Sequence, residues 1–198
     1  MEEARLNTVA ADNMEYLLID AYNVINAWRD VFDLNAMSLE DCRDKLLHIV
    51  SNYGGYMGDD LDIMVVFDAH MVRGARRKGK GAPEPFGNIS VVYTRENETA
   101  DNYIERFVYL NGETNVVRVV TSDFLEQTMI LRKGGVRILP RELKQEIMNT
   151  ALENRHDPFA KRAGGGVTAE AHRRKINTVD ANIEGETAAR LEKMRRRG

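Results

Sequence analysis

Two patterns of apolar residues alternate along this chain. Short continuous apolar runs, typical of strands buried on both faces, occur at 16–19, 62–67, 89–93, 115–120 and 136–139. Longer stretches with apolar residues every three or four positions, typical of amphipathic helices, occur at 39–57, 99–110, 124–133 and 140–152. Ser38 and Thr99 are the N-caps expected for the first two helices. The alternation predicts an α/β fold with a mostly parallel sheet between helices.

The remaining segments lack either pattern. Residues 1–14 are predicted to be a flexible leader, and 74–87, rich in Gly, Pro and basic residues, is predicted to be a loop. From 153 to 198 a triple glycine is followed by polar and basic sequence, which predicts a flexible basic arm with a short helix near 188–196. The expected organisation is therefore one folded domain, 15–152, between a leader and a C-terminal extension.

Charge is distributed unevenly between this domain and the arm. The 198 residues have a formal net charge of −3, but residues 155–198 contain 11 Lys and Arg against 6 Asp and Glu. An acidic body with a basic arm indicates a polyanionic partner for the arm, although a merely solvated arm is the alternative. Cys42 is the only cysteine, so an internal disulfide and a cysteine-based zinc site are excluded. Without a signal peptide or membrane-length apolar run, we expect no membrane partner and a cytoplasmic location.

Acidic residues follow the predicted strands. Asp20, Asp68 and Asp123 come at or just after strands one, two and four, and Asp101 lies at the start of the helix after strand three. If the strand order is 3-2-1-4-5, strand one lies between strands two and four. The carboxyl ends of parallel strands form the usual ligand-binding edge of an open sheet. We therefore expect these four carboxylates at one edge.

Clustered carboxylates repel one another and need an opposing charge. A hard divalent cation, Mg²⁺ or Mn²⁺, prefers oxygen ligands and keeps waters for chemistry, so a metal site is the favoured interpretation. The alternative is that each Asp only caps the next turn. The chain has no P-loop sequence and no dinucleotide-binding glycine pattern after a strand, so those nucleotide sites are excluded.

A basic cluster follows Asp68. It reads RGARRKGKG, and its cations are Arg73, Arg76, Arg77, Lys78 and Lys80. Such a cluster binds phosphate backbones by neutralising their charge, whereas the alternative is a solvated loop. The arm contributes a second group of candidate RNA-binding residues, Arg173, Arg174 and Lys175. Aromatic residues that could stack on single-stranded RNA are Tyr22, Trp28 and Phe86, although Tyr22 and Trp28 could equally be core residues.

Four short motifs resemble the YacP-like NYN-domain family. They are Asp20-Ala-Tyr-Asn23-Val-Ile, Val66-Phe-Asp68-Ala, Tyr93-Thr94 with Glu98-Thr-Ala-Asp101, and Val120-Thr-Ser-Asp123, within a similarity that spans about 16–152. The resemblance implies a PIN-like, three-layer fold and RNA cleavage, with one branch acting on messenger RNA at the ribosome. It also implies metal-binding roles for Asp20, Asp68, Asp101 and Asp123. Asn23 would orient the cluster or a bound water, supported by Glu98 and Ser122.

One position departs from the family pattern. The family usually reads Asp-Gly-Tyr-Asn, whereas Ala21 replaces the glycine here. Alanine is small enough for a close backbone approach, but a positive φ at this position would be strained.

Three functions are compatible with these features. The first is a metal-dependent endoribonuclease that cleaves messenger RNA in association with the ribosome. The second is a non-catalytic RNA- or ribosome-binding module in which the acids are structural. The third and weakest is a phosphatase with Asp20 as nucleophile, which commonly requires a second Asp two residues later, where this chain has Tyr22.

Overall fold

The computed structural model describes residues 14–69, 81–123 and 135–156. The predicted helix 124–133, the basic cluster and the C-terminal arm beyond 156 lie outside these residues. Within these ranges the strands are β1 (Glu15–Asp20), β2 (Leu61–Phe67), β3 (Pro83–Phe86), β4 (Ile89–Tyr93), β5 (Val116–Val120) and β6 (Val136–Ile138). The α-helices in the same ranges are α1 (Ala21–Ala27), α2 (Leu39–Met57), α3 (Ala100–Asn111) and α4 (Pro140–His156).

The strands form one sheet in the order β3-β4-β2-β1-β5-β6. All neighbours are parallel except β3, which pairs antiparallel with β4. The predicted order of the five predicted strands is confirmed. The sixth strand, β3, corrects the prediction that all of 74–87 is loop.

Prolines concealed strand β3 in the sequence. Pro83 and Pro85 have no N–H group, which weakens a strand prediction, but prolines are tolerated in an edge strand. A tight turn at Gly87, where φ is +60°, returns the chain into β4. Ser51 Oγ donates a hydrogen bond of 2.7 Å to Asn88 Oδ1, which holds this turn against α2.

Alternate residues of the central strand face two separate cores. Leu17 and Ile19 pack with α1, α2 and α4 on one face of the sheet, whereas Tyr16 and Leu18 pack with α3 on the other. This follows from the period of two along a strand. The result is the expected three-layer α/β arrangement. Cys42 is a buried residue of the first core.

The predicted helix caps are confirmed. Ser38 and Asp41 form a reciprocal capping box at α2, and the Thr99 side chain accepts from the Asn102 N–H at α3. Helix α4 begins at Pro140 as predicted but continues to His156, past the expected boundary at 152. Among the described helices, none is long and apolar enough to cross a membrane.

The carboxyl edge of the sheet as a candidate active site

Parallel pairing brings the ends of the central strands to one edge of the sheet. Asp20 is paired with Val66, two residues before Asp68, and Ile19 is paired with Val120, three residues before Asp123. Helix α3 starts at the same edge because β4 ends at Tyr93, opposite Phe67. The predicted placement of Asp20, Asp68, Asp101 and Asp123 at one edge agrees with this geometry.

Asp20 is the most enclosed of these acids. It is the N-cap of α1, a short helix that the sequence pattern did not reveal, and its residue is only 3% exposed. Its Oδ1 accepts from the Asn23 backbone N–H at 3.1 Å, and its Oδ2 accepts from Asn23 Nδ2 at 2.5 Å. Both oxygens of the carboxylate are therefore bound by Asn23.

Electrostatic coupling links the four aspartates. Burial raises the pKa of Asp20 to about 6; the Asn23 hydrogen bonds oppose this rise, and the charges of Asp101 and Asp68 add to it. Partial removal from solvent raises the pKa of Asp101, and Asp123 and Asp68 raise it further, while a hydrogen bond with Asp20 lowers it. The carboxylates are thus close enough to disfavour one another's charge.

Asp68 and Asp123 are anchored by backbone contacts. Asp68 Oδ1 accepts from the Ala100 N–H at 2.7 Å, which ties the end of β2 to the first turn of α3 and places Asp101 beside it. The Asp123 N–H donates to Thr121 Oγ1 at 3.0 Å. Asp20 is buried and Asp68 half-buried, whereas Asp101 and Asp123 are exposed. The cluster therefore opens to solvent on the Asp101 and Asp123 side.

Asn23 and Ser122 form a relay behind Asp20. Ser122 Oγ donates a short hydrogen bond to Asn23 Oδ1, which fixes the amide so that Nδ2 faces Asp20. The two residues are 99 positions apart in the chain. The structure thus brings together both of these predicted supporting residues.

Glu98 is placed differently from the four aspartates. Its Oε2 accepts from the Arg95 N–H at 3.1 Å, and its Oε1 forms an ion pair with Arg106 on α3. Glu98 is not among the charges that act on the pKa of Asp20 or Asp101. It fixes the loop between β4 and α3 rather than joining the carboxylate cluster directly.

The candidate RNA-binding residues Arg73, Arg76, Arg77, Lys78, Lys80, Arg173, Arg174 and Lys175 lie outside the described residues. Both ends of segment 70–80 are nevertheless fixed beside Asp68. The Ala69 N–H donates to Thr94 Oγ1 at 3.1 Å, and the Gly81 N–H donates to the Tyr93 carbonyl at 3.0 Å. The two residues that flank segment 70–80 therefore lie near the edge that carries the aspartates.

Two of the three candidate stacking residues belong to the core. Tyr22 packs edge-on against Phe67, and Trp28 is 3% exposed with its Nε1 donating to the Pro140 carbonyl. Phe86 is only partly buried. Ala21 lies within α1, and its φ is not positive, so the substitution at the family's glycine carries no backbone strain.

The site offers only oxygen donors, which suit Mg²⁺ or Mn²⁺. Among the described residues, no group of three or more His, Cys, Asp or Glu side chains has the geometry to hold a metal ion by itself. Mg²⁺ is usually bound by one or two carboxylates together with waters and substrate phosphates, rather than by a full protein cage. The coupled aspartates fit that mode: burial is the main cause of the raised pKa of Asp20 and Asp101, and the neighbouring carboxylates raise it further, so a cation at this edge would be favoured.

Two contacts at this edge were not predicted, although Thr94 belongs to one of the family-like motifs. Thr94 holds the start of segment 70–80, and Arg43 of α2 is a buried cation close to Tyr22. A threonine after a strand and an arginine in an amphipathic helix are common in any sequence. Only the tertiary arrangement distinguishes them.

A three-layer α/β domain with acids at the carboxyl edge of its parallel sheet is the class that this geometry defines. The family model described as "YacP-like NYN domain" matches residues 17–196, and the chain belongs to this family, whose NYN domains are generally nucleases. The "Uncharacterized protein YacP" of Bacillus subtilis (strain 168) is 40% identical over 135 residues, which cover 68% of this chain and 75% of the relative.

Two crystal structures of Rae1 (YacP) from Bacillus subtilis are similar to this fold. A mutant form matches with a TM-score of 0.60 and 32% identity, covering 85% of this chain and 99% of that one. A second structure matches with a TM-score of 0.58 and 35% identity, covering 92% and 95%. The expected family and fold are confirmed.

Proposed function

We propose that this protein is a metal-dependent endoribonuclease that cleaves messenger RNA in association with the ribosome. The observation that carries the proposal is the coupling of Asp20, Asp68, Asp101 and Asp123 at the carboxyl edge of the sheet. Membership of the NYN family supports a nuclease role. The contacts of Ala69 and Gly81 support RNA as the substrate, because the segment between these two residues is rich in cations and both of them lie near the acidic site.

A divalent cation bound here would activate a water and stabilise the leaving oxygen of a phosphodiester. Asp20 and Asp101 are the residues that we expect to hold it first, since their carboxyls are within hydrogen-bonding reach of one another. Asn23, oriented by Ser122, keeps the Asp20 carboxylate pointing in one direction. Asp68 and Asp123 complete the negative field at the open side of the site.

The ribosome is proposed as the setting for cleavage on the basis of the family resemblance and the basic segments. Residues 155–198 carry a net charge of +5, so this arm complements ribosomal RNA. The cations of segment 70–80 would then contact the messenger RNA beside the aspartates.

The test is cleavage of a messenger RNA during translation. We expect discrete new 5′ ends when the parent protein and Mg²⁺ or Mn²⁺ are added to translating ribosomes, and none with Asp101→Asn or with EDTA. Asp60→Asn is the matched control, because Asp60 is an exposed acid in the turn before β2, at the opposite edge of the sheet. Equal cutting by Asp101→Asn and Asp60→Asn would refute the site.

The second candidate is a non-catalytic RNA- or ribosome-binding module. The basic distribution of residues 155–198 favours it independently of the aspartates. It predicts co-sedimentation with ribosomes that weakens steeply with salt and needs no metal. Co-sedimentation without any cuts in the parent protein would replace the nuclease proposal with this one.

A further inference from the structure

Arg43 is a buried cation with few partners. It lies in the second turn of α2 and is only 8% exposed. A guanidinium has five N–H donors, yet within the described ranges its single hydrogen bond runs from Nη1 to the Tyr22 hydroxyl at 3.5 Å, the long limit for such a bond. Removing a cation from water without a compensating anion is strongly unfavourable. The position therefore calls for an anionic partner.

Aromatic side chains enclose this cation. Tyr22 packs edge-on against Phe67, which in turn stacks on Tyr93 with ring centroids 5.5 Å apart. Burial raises the pKa of both Tyr22 and Tyr93, and the charge of Arg43 opposes the rise in each case. Arg43 thus lies near both phenol groups. We refer to Arg43, Tyr22 and Tyr93 as the Arg43 pocket.

The Arg43 pocket adjoins the candidate active site. Tyr22 packs edge-on against Phe67, which directly precedes Asp68, and it lies in the first turn of α1, the helix that Asp20 caps. Tyr93 ends β4, and its carbonyl holds Gly81, the residue that follows the basic segment. A strand of RNA at the aspartates would therefore pass the pocket.

We propose that the Arg43 pocket binds a phosphate of the RNA next to the phosphate that is cleaved. This inference rests on the proposed function, since it takes RNA as the substrate. A guanidinium matches two phosphate oxygens in a fork geometry, and the phenol hydroxyls are further donors. Bases and riboses carry no charge that would compensate the buried cation.

Nearby carboxylates restrict which phosphate can bind. Asp68 lies on the Tyr22 side, and Asp44 and Glu84 act on Tyr93. These charges oppose the binding of any anion, and an RNA strand that is also held elsewhere can offset that repulsion whereas a free anion cannot. Inorganic phosphate alone should bind much more weakly than RNA.

The test measures binding without cleavage. A fluorescein-labelled single-stranded RNA is titrated with protein in EDTA, and each phosphate in turn is replaced by an uncharged methylphosphonate. We expect one replacement to weaken binding to the parent protein by about tenfold, as for loss of a charged hydrogen bond. Arg43→Met should weaken binding of the unmodified RNA by a similar factor and should no longer respond to that replacement. Arg29→Met, the same change at an exposed arginine, should stay within about twofold, as for a rim charge.

Thermal stability separates a binding role from a structural one. If Arg43 serves a ligand, Arg43→Met should raise the melting temperature of the free protein by a few degrees, because an uncompensated buried charge is removed. A fall in melting temperature with unchanged RNA affinity would identify a structural arginine and overturn the proposal.

A measurement on the unmodified protein guards against misfolding of the variant. The Arg43 Nε–H signal in NMR, identified through Arg43→Met or Arg43→Lys, should shift on adding the RNA. It should shift much less with the critical methylphosphonate, or with inorganic phosphate at the same concentration. An equal shift with inorganic phosphate would indicate a free-anion site and contradict the RNA assignment.

The two proposals can fail separately. Metal-dependent cleavage combined with an Arg43 signal that ignores RNA would refute the pocket and leave the nuclease intact. A pocket that binds RNA in a protein that never cuts would preserve the phosphate site and support the binding module.

Discussion

Two charged regions of this domain are built in opposite ways. At the carboxyl edge, carboxylates lie beside carboxylates, and the pKa of Asp20 and of Asp101 is raised. On the α2 and α4 face, Arg118 of β5 forms ion pairs with Glu15 at 3.2 Å and with Glu146 at 2.7 Å, and Tyr53 donates to Glu146. Burial tends to raise the pKa of Glu146, but hydrogen bonds from Arg118 and Tyr53 hold it below its usual range.

This comparison indicates which of the two charged regions stabilises the folded state and which one destabilises it. In the Arg118 network (Glu15, Tyr53, Arg118 and Glu146), charges alternate in sign and connect four elements, β1, α2, β5 and α4. At the carboxyl edge the free protein keeps unfavourable contacts that a bound cation would relieve. Substitutions in the two regions should therefore change stability in opposite directions.

The largest effect is expected from Asp20→Asn. Cleavage should fall by about a hundredfold or more because a group that acts on the transition state is lost. Stability in EDTA at pH 7 should rise by about 3 kcal/mol, since the folded pKa of about 6 exceeds an unfolded value near 3.9, and each unit corresponds to about 1.4 kcal/mol. Urea unfolding of both proteins measures the gain.

The dependence of the unfolding free energy on pH tests the direction of this stability change. Because the Asp20 pKa is raised on folding, the parent gains stability as pH falls from above 6 toward 4, and Asp20→Asn lacks that gain. The stability difference between the two proteins should therefore shrink across this window. A stability difference that stays constant with pH would mean that folding does not raise the pKa of Asp20.

The next effect is expected from Arg118→Met. It leaves Glu15 and Glu146 without their shared cation, so we expect a loss of about 2 kcal/mol in unfolding free energy. Cleavage measured well below the melting temperature should not change. Arg137→Met, at an exposed position on the neighbouring strand β6, is the control and should be nearly neutral. Equal losses in both variants would show that the network adds nothing.

Ser122→Ala should have a smaller effect, confined to the carboxyl edge. Without the Ser122 hydroxyl the Asn23 amide can rotate away from Asp20, so cleavage should fall roughly three- to tenfold, as for loss of one hydrogen bond. Ser51→Ala removes a similar hydroxyl-to-Asn88 bond far from the site. It should affect stability but not cleavage, and a matching loss of cleavage there would count against the relay.

Ala21→Gly should have the smallest effect. It restores the family's usual residue in a helical conformation, where glycine is less stable than alanine by roughly 0.5–1 kcal/mol. Cleavage should be unchanged, and urea unfolding measures the small loss. A gain in stability would mean that the alanine is strained after all.

The sequence determined most of the sheet because the strands carry a strong local signal. Continuous apolar runs ending in Asp20 and Asp68 predicted the strands, and the acids at their ends predicted the candidate edge. Strand β3 was missed because Pro83 and Pro85 resemble a loop, and helix α1 was missed because it has only seven residues and directly follows β1. Short elements depend on tertiary contacts more than on local pattern.

The sequence did not predict those contacts of the candidate site that join distant parts of the chain. The Ser122 bond to Asn23 spans 99 residues, and Arg43 approaches Tyr22 across 21. Glu98 lies next to the site in sequence, but its pairing with Arg106 could not be inferred from spacing alone. The acidic residues at the strand ends could be identified from the sequence. The orientation of their side chains could be determined only from the packed structure.

Two hydrogen bonds have an evolutionary consequence: Ala69 N–H donates to Thr94, and Gly81 N–H donates to Tyr93. Both contacts are made by residues outside segment 70–80, so neither bond depends on the side chains of that segment. Gly81 has a φ of +65° and lies against Arg95, which favours glycine at this position. We therefore expect charge changes between these two points to leave both bonds in place. Under the proposed function, such changes would alter the contacts with RNA while the aspartates keep their positions.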